Sequence, residues 1–334
     1  MTQFRITDAE QLEIESIEQQ HATGDEIILQ FSKPVYSASM LRAINRLCER
    51  FTSRFQVRFF GHYGTSFDCS TVRLLPSVKS LAVDCLMKAD NVDCLHELDN
   101  LESLSFGVFD LDKKEILDSP NFLKLRSLSL GETRSRGIDL SPIGKFGFLE
   151  SLLISGHTKG IERISQLNKL QSLRLRQIGN GTRLAFVNAI EGLRELEIVL
   201  GGRSNIHEII HPYVRKLKII RVRGLDAFRP SSFQGLEELQ IEDQIRIAEI
   251  TFPGPMQNLE RILLINCKTL SSLKGLDLLP SLRELRIAMT SVDVDDLLSE
   301  ALPATLKTVA FYTGREKENR AIRCKLDQLG YTET

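Results

Sequence analysis

Along most of the chain the apolar positions keep one spacing: four slots separated by three, three and two residues, closing on a short apolar-polar-apolar alternation. Blocks of this form include LPSVKSLAV from Leu75, LDNLESLSF from Leu98, FLKLRSLSL from Phe122, LNKLQSLRL from Leu167, FQGLEELQI from Phe233 and LPSLRELRI from Leu279. The last slot falls at Val83, Phe106, Leu130, Ile154, Leu175, Ile198, Ile219, Ile241, Leu264, Ile287 and Phe311, so eleven copies recur about every 23 residues. An ending such as Leu128-Ser129-Leu130 has the period of a strand with one buried face. One short parallel strand per copy, stacked on its neighbours, buries a continuous core that no single copy could form alone.

These blocks resemble leucine-rich repeats, and GIDLSPIGKFGFLESLLISG with GIERISQLNKLQSLRLRQI is similar to the short repeats of internalin-type proteins. The resemblance spans residues 71–313. It implies an α/β solenoid, a leucine-rich-repeat horseshoe with a parallel concave sheet. One departure stands out. Three positions past the last slot, where the family places an asparagine that ties neighbouring turns together, this chain has Leu86, Phe109, His157 and Ile178, with Thr133, Cys267 and Thr290 nearer to expectation. Without that ladder the convex turns are expected to be irregular and less uniformly hydrogen-bonded.

The flanks read as caps. Residues 1–70 contain a strand (DEIILQFSKP), a helix opened by a Ser cap (SASMLRAINRLCERF) and a second strand (FQVRFFG). Phe59 precedes Val83 by about one repeat length, so this strand-helix-strand unit can join the sheet as its first rung and cover the open core edge. Residues 314–334 place Ala321, Ile322, Leu326 and Leu329 on one helical stripe, the signature of a C-terminal cap helix.

One stretch suggests chemistry. His207-Glu208-Ile209-Ile210-His211 has the letters of a zinc protease helix, two ligands four apart with a glutamate to activate water. A zinc-dependent hydrolase using this stretch is therefore the alternative class. The repeat frame argues against it. His211 fills the first apolar slot of its block, and Pro212 aligns with Pro76 and Pro280 of neighbouring blocks and disfavours helix at the residue before it. The competing expectation packs Ile206, Ile209 or Ile210 inward and leaves both histidines on the convex surface, where His207 and His211 are at most weak metal candidates. No cofactor signature occurs, and no block is long enough for a separate catalytic domain.

Charge and cysteines narrow the partner. Lys plus Arg total 43 against 44 Asp plus Glu, so no net field draws the chain to nucleic acid or to acidic lipid. The start of the chain lacks the basic and apolar regions of a signal peptide, and no segment has eighteen uninterrupted apolar residues. Six cysteines without a CxxC pair fit reduced thiols, and the expected setting is cytoplasmic.

In the resembling family, partners dock on the inner curved sheet, and the repeat frame lists what that face presents. Serines dominate its first half, with Gly107 and Gly131 leaving room for a bulky element of a partner; charges of alternating sign dominate the second. Within the charged lattice of Arg174, Arg176, Glu197, Lys218, Glu242 and Arg286 stand the apolar residues Leu153, Val199, Ile220, Leu263 and Ile265, with Leu200 at the rim and Tyr312 beyond. Apolar residues inside a charged surround suit a protein-binding surface. The expectation is a non-catalytic interaction module, an adaptor or a toxin-neutralising immunity protein by analogy, with a protein partner and neither nucleic acid nor membrane.

Overall fold

The computed structural model describes residues 3–62, 64–113, 115–134 and 137–333. They pack as two compact units, Met1–Leu170 and Gln171–Thr334.

The first unit begins with strand β1 (Gln3–Thr7), helix α1 (Ile14–Ala22), β2 (Glu26–Phe31), helix α2 (Ala38–Arg50) and β3 (Phe55–Gly61). The expected strand-helix-strand is thus preceded by a further strand and helix. β1 pairs in parallel with β2, and β2 with β3. The Ser37 hydroxyl accepts the Met40 N–H at 3.1 Å, satisfying one of the free donors at the start of α2. Leu41, Ile44, Leu47 and Cys48 form that helix's buried stripe.

A short strand β4 (Phe67–Asp68) leads to β5 (Ser80–Leu86), and β6 (Ala89–Asp90), which pairs with β4, to β7 (Ser103–Val108); β8 (Ser127–Leu130) and β9 (Ser151–Ser155) complete the unit. β3, β5, β7, β8 and β9 are parallel neighbours in register, and Phe59, Val83, Phe106, Leu130 and Ile154 stand side by side.

The second unit repeats the plan with β10 (Ser172–Arg176), β11 (Glu195–Val199), β12 (Lys216–Ile220), β13 (Glu238–Glu242), β15 (Arg261–Ile265), β17 (Glu284–Ala288) and β18 (Thr308–Tyr312). A small second pair, β14 (Glu249–Thr251) with β16 (Ser272–Lys274), lies between, and helices α3 (Val294–Ser299) and α4 (Glu316–Gln328) flank β18. Leu175, Ile198, Ile219, Ile241, Leu264, Ile287 and Phe311 align in one row. All but Phe311 are at most 2% exposed. The four slots of a block, as in Leu279, Leu282, Leu285 and Ile287, are all buried, each such side chain contributing roughly 1.5–3 kcal/mol.

Thr332 closes the far edge, donating to Lys307 O and accepting from Val309 N–H, so β18 presents fewer open backbone groups. α4 forms as expected, but its stripe is only partly used: Leu326 is buried while Leu329 is 55% exposed.

The turns past the strands lack the asparagine ladder and are bonded unevenly, as the sequence implies. His157 Nε2–H donates to Gly131 O at 2.7 Å while its Nδ1 accepts the Ile138 N–H at 3.1 Å. At the same repeat position Gln244 donates to Glu242 O at 2.7 Å, and the Cys267 thiol reaches Ile265 O at 3.4 Å. Side chains other than asparagine make the backbone bonds, while Leu86 and Ile178 fill the position with buried apolar volume.

After each of β10, β11, β12, β13, β15 and β17 the chain turns through a left-handed residue: Gln177, Leu200, Arg221, Asp243, Asn266 and Met289, with φ between 51° and 61°. Each donates its N–H to the last strand residue of the next rung, as Leu200 does to Ile220 O at 2.9 Å. This conformation costs a non-glycine residue roughly 1–2 kcal/mol, less for Asn and Asp. The repeated backbone ladder holds it in place.

Candidate functional site

Because side chains alternate along a strand, positions one, three and five of each rung share the solvent face. In the second unit they form three rows. The first runs Ser172, Glu195, Lys216, Glu238, Arg261, Glu284 and Thr308, alternating in sign through its five charges. Lys216 Nζ lies 3.4 Å from Glu195, and Arg261 lies 3.7 Å from Glu238.

The second row runs Arg174, Glu197, Lys218, Gln240, Leu263, Arg286 and Ala310. Arg174 Nε meets Glu197 at 3.2 Å, Arg286 turns to Glu284 within its own strand, and Lys218 has no ion pair among the described residues. The third row is mostly apolar: Arg176, Val199, Ile220, Glu242, Ile265, Ala288 and Tyr312. Polarity therefore falls across the face from the strand starts to the strand ends.

The structure brings eleven of the twelve sequence-selected residues onto this one face: Arg174, Arg176, Glu197, Val199, Lys218, Ile220, Glu242, Leu263, Ile265, Arg286 and Tyr312. Leu153 lies on β9 in the first unit, half-buried. Tyr312 is exposed and its hydroxyl donates to Glu333.

The serine-rich half differs from expectation. Ser80 and Ala82 are buried, and the Arg58 side chain lies along the neighbouring strand, donating to Asp84 Oδ1 at 2.7 Å and to Gln30 Oε1 at 3.2 Å. Ser105 donates to the same Asp84 carboxylate at 2.9 Å. That part of the face is occupied by its own polar network. Repeat register gave no sign of this, because Arg58 belongs to β3, ahead of the first block.

The HEIIH stretch forms no helix. Ile206 and Ile209 are buried and Ile210 is 62% exposed, as the packing expectation allowed, but His211 is buried rather than on the convex surface. Its Nε2–H donates to Ile190 O at 3.0 Å, so it replaces an apolar slot residue with a polar bridge to the previous rung. Burial holds the pKa of both His207 and His211 below the ordinary imidazole value. Glu208 is the counterion of Arg203, whose guanidinium lies 3.2 Å away and is almost fully buried. Among the described residues no three His, Cys, Asp or Glu side chains converge as a metal set. The zinc-hydrolase reading is thereby deprived of its geometry: the helix that would align the two histidines is absent, and Glu208 is committed to Arg203.

No family model and no curated protein matches the chain. Among solved structures, an internalin from Listeria monocytogenes is similar over 95% of this chain and 87% of its own, at 16% identity and a TM-score of 0.57. A Toll–Spatzle complex from Drosophila is similar over 93% of this chain and 51% of its own, at 13% identity and a TM-score of 0.48. At these identities the likeness concerns fold alone. The recurring parallel rungs, their shared slot residues and the internalin likeness agree: the chain has the leucine-rich-repeat fold, similar to that of the internalin.

Proposed function

We propose that the chain is a protein-interaction module that binds a protein partner on the solvent face of its second unit, with residues 1–70 and 314–334 serving as caps. The carrying observation is the third row, where Val199, Ile220, Ile265 and Ala288 lie in register beside two rows of charged residues. Apolar side chains at the strand ends supply area to bury, and the alternating charges supply orientation and selectivity. An adaptor or an immunity protein that occludes a toxin in the cytoplasm is the biological form this reading takes. Six free cysteines, four of them buried, accord with a reducing setting. Among the described residues no helix is long and apolar enough to cross a membrane.

The test is an affinity pull-down from native lysate, comparing the intact protein with an Ile220→Glu, Leu263→Glu variant shown by circular dichroism to be folded. Both side chains are half-exposed, so the fold should tolerate the change. A partner recovered by the first and lost by the second is the expected result; equal recovery moves the binding surface elsewhere.

A further inference from the structure

Past the third row, where the second unit's chain leaves its strands, the turns between Leu200 and Lys268 border an open cavity of about 580 Å³, inside the roughly 300–1,000 Å³ range of ligand pockets. Its apolar part is built by Leu200, Val222 and Ile245, the last 64% exposed. Leu200 has φ 61°, a region that bulky side chains avoid and that Asn266, three rungs on, occupies with less strain. The chain thus keeps a large apolar side chain on the cavity wall against a backbone preference for Gly or Asn. The same turn recurs at Gln177, Arg221 and Met289, so the conformation belongs to the repeat, and Leu200 is distinguished by the apolar side chain it places here.

The charges on the wall do not cancel. Arg221 donates to Asp243 Oδ2 through Nε at 3.0 Å and through Nη2 at 2.6 Å, and the Asn266 amide donates to the other oxygen. Those bonds, that of Asn266 foremost, hold the Asp243 carboxyl below its usual range, so this pair is neutral overall. Arg223 and Lys268 line the same cavity, are exposed, and make no ion pair among the described residues. The exposed Arg246 follows Ile245 in the same condition. The result is an apolar hollow with a cationic rim, in a chain whose net charge is -1.

We propose that this cavity binds an acidic peptide segment of a protein partner, seating one apolar side chain against Leu200, Val222 and Ile245 while flanking carboxylates meet Arg223 and Lys268. The proposal rests on the interaction-module reading and adds the chemistry of the partner. Nucleic acid would also satisfy the cations, but the cavity lining has no aromatic ring on which a base could stack, and its apolar surface would stay unmatched.

The test is fluorescence anisotropy on the intact protein with three labelled peptides and one labelled single-stranded oligonucleotide. One peptide carries Leu flanked by Asp and Glu in a Gly/Ser background; the second has Lys in place of the acids; the third has Ser in place of Leu. The first peptide is expected to bind at least about tenfold more tightly than the other two and than the oligonucleotide. Arg223→Ser with Lys268→Ser, and separately Ile245→Ser, should each weaken it by about tenfold or more. Leu200→Asn should weaken it while raising Tm, which separates lost binding from lost folding.

No binding of the first peptide up to about 100 μM, equal binding of all three, or preferential binding of the oligonucleotide would overturn the proposal. The interaction-module reading fails separately. A lysate partner that is lost on Ile220→Glu, Leu263→Glu but retained by the cavity variants leaves that reading standing and refutes the cavity.

Discussion

Glu208→Gln changes one atom of the HEIIH stretch and tests what that glutamate does. Arg203 is 4% exposed, and its guanidinium donates to Gly179 O at 3.1 Å, to Thr182 O at 3.0 Å and to Glu208 Oε1 at 3.2 Å, leaving Nε without a partner. It therefore ties the turn after β10 to the turn after β11, and Glu208 supplies the only carboxylate beside it among the described residues. At the observed separation and an effective dielectric of about 20, the gross attraction is about 5 kcal/mol.

Gln keeps a neutral acceptor, and the Glu208 side chain is 33% exposed, so solvent screens part of the charge. The net loss should be about 2 kcal/mol, below the roughly 3–5 kcal/mol of a fully buried pair. Urea unfolding followed by circular dichroism measures it, and amide exchange over residues 203–211 should show protection lost there first. Arg203→Met removes the buried charge and completes a double-mutant cycle, whose coupling energy should exceed about 1 kcal/mol. A Glu208→Gln variant within about 0.5 kcal/mol of the parent, with unchanged exchange, would refute the tether. Stoichiometric zinc together with a Glu208-dependent hydrolytic activity would refute the geometric argument as a whole.

Three further outcomes are expected. His157 is buried as a neutral ring whose Nδ1 accepts a hydrogen bond from the Ile138 N–H, and desolvation lowers its pKa from 6.5. The unfolded chain then takes up the proton first as pH falls, so this part of the stability is complete above 6.5 and declines through the lowered value; urea midpoints across that interval should fall, and less so for His157→Asn. Gly201→Ala should lower stability by about 2 kcal/mol in the same assay, whereas Gly181→Ala should change it by less than about 0.5 kcal/mol. At Gly201 φ is 79° and a Cβ would lie 2.6 Å from Ile178 O, while a Cβ at Gly181 meets nothing within 4 Å. Glu195→Ala and Lys216→Ala should each cost less than about 1 kcal/mol and couple less strongly at high salt, because an exposed pair is screened; a larger, salt-insensitive coupling would show that the lattice carries structure.

Some elements were readable because their cause is local and repeated. The last slot of every block lies in a strand, since an apolar side chain returning at the same phase in each copy has only one way to bury itself. α2 was readable from Ser37 and its stripe of Leu41, Ile44, Leu47 and Cys48. β1 and α1 were not: Phe4 and Ile6 are only half-buried at a sheet edge, and α1 buries Ile17 alone, so neither leaves a strong period. Eleven of the twelve selected face residues came from register and were found together, whereas the rim cavity depends on turns whose shape no slot pattern encodes.

The sequence by itself determined the repeat, the phase of each rung and the sign of each charge on the exposed face, because alternation and slot spacing translate directly into which side of a strand a residue occupies. Only the tertiary structure decided what the irregular positions do. Whether His157 bridges Gly131 and Ile138, whether His211 is buried against Ile190, and whether Arg203 ties down Gly179 and Thr182 are all questions about groups some twenty residues apart. Their distances are set by how one rung lies on the next, which no local pattern contains.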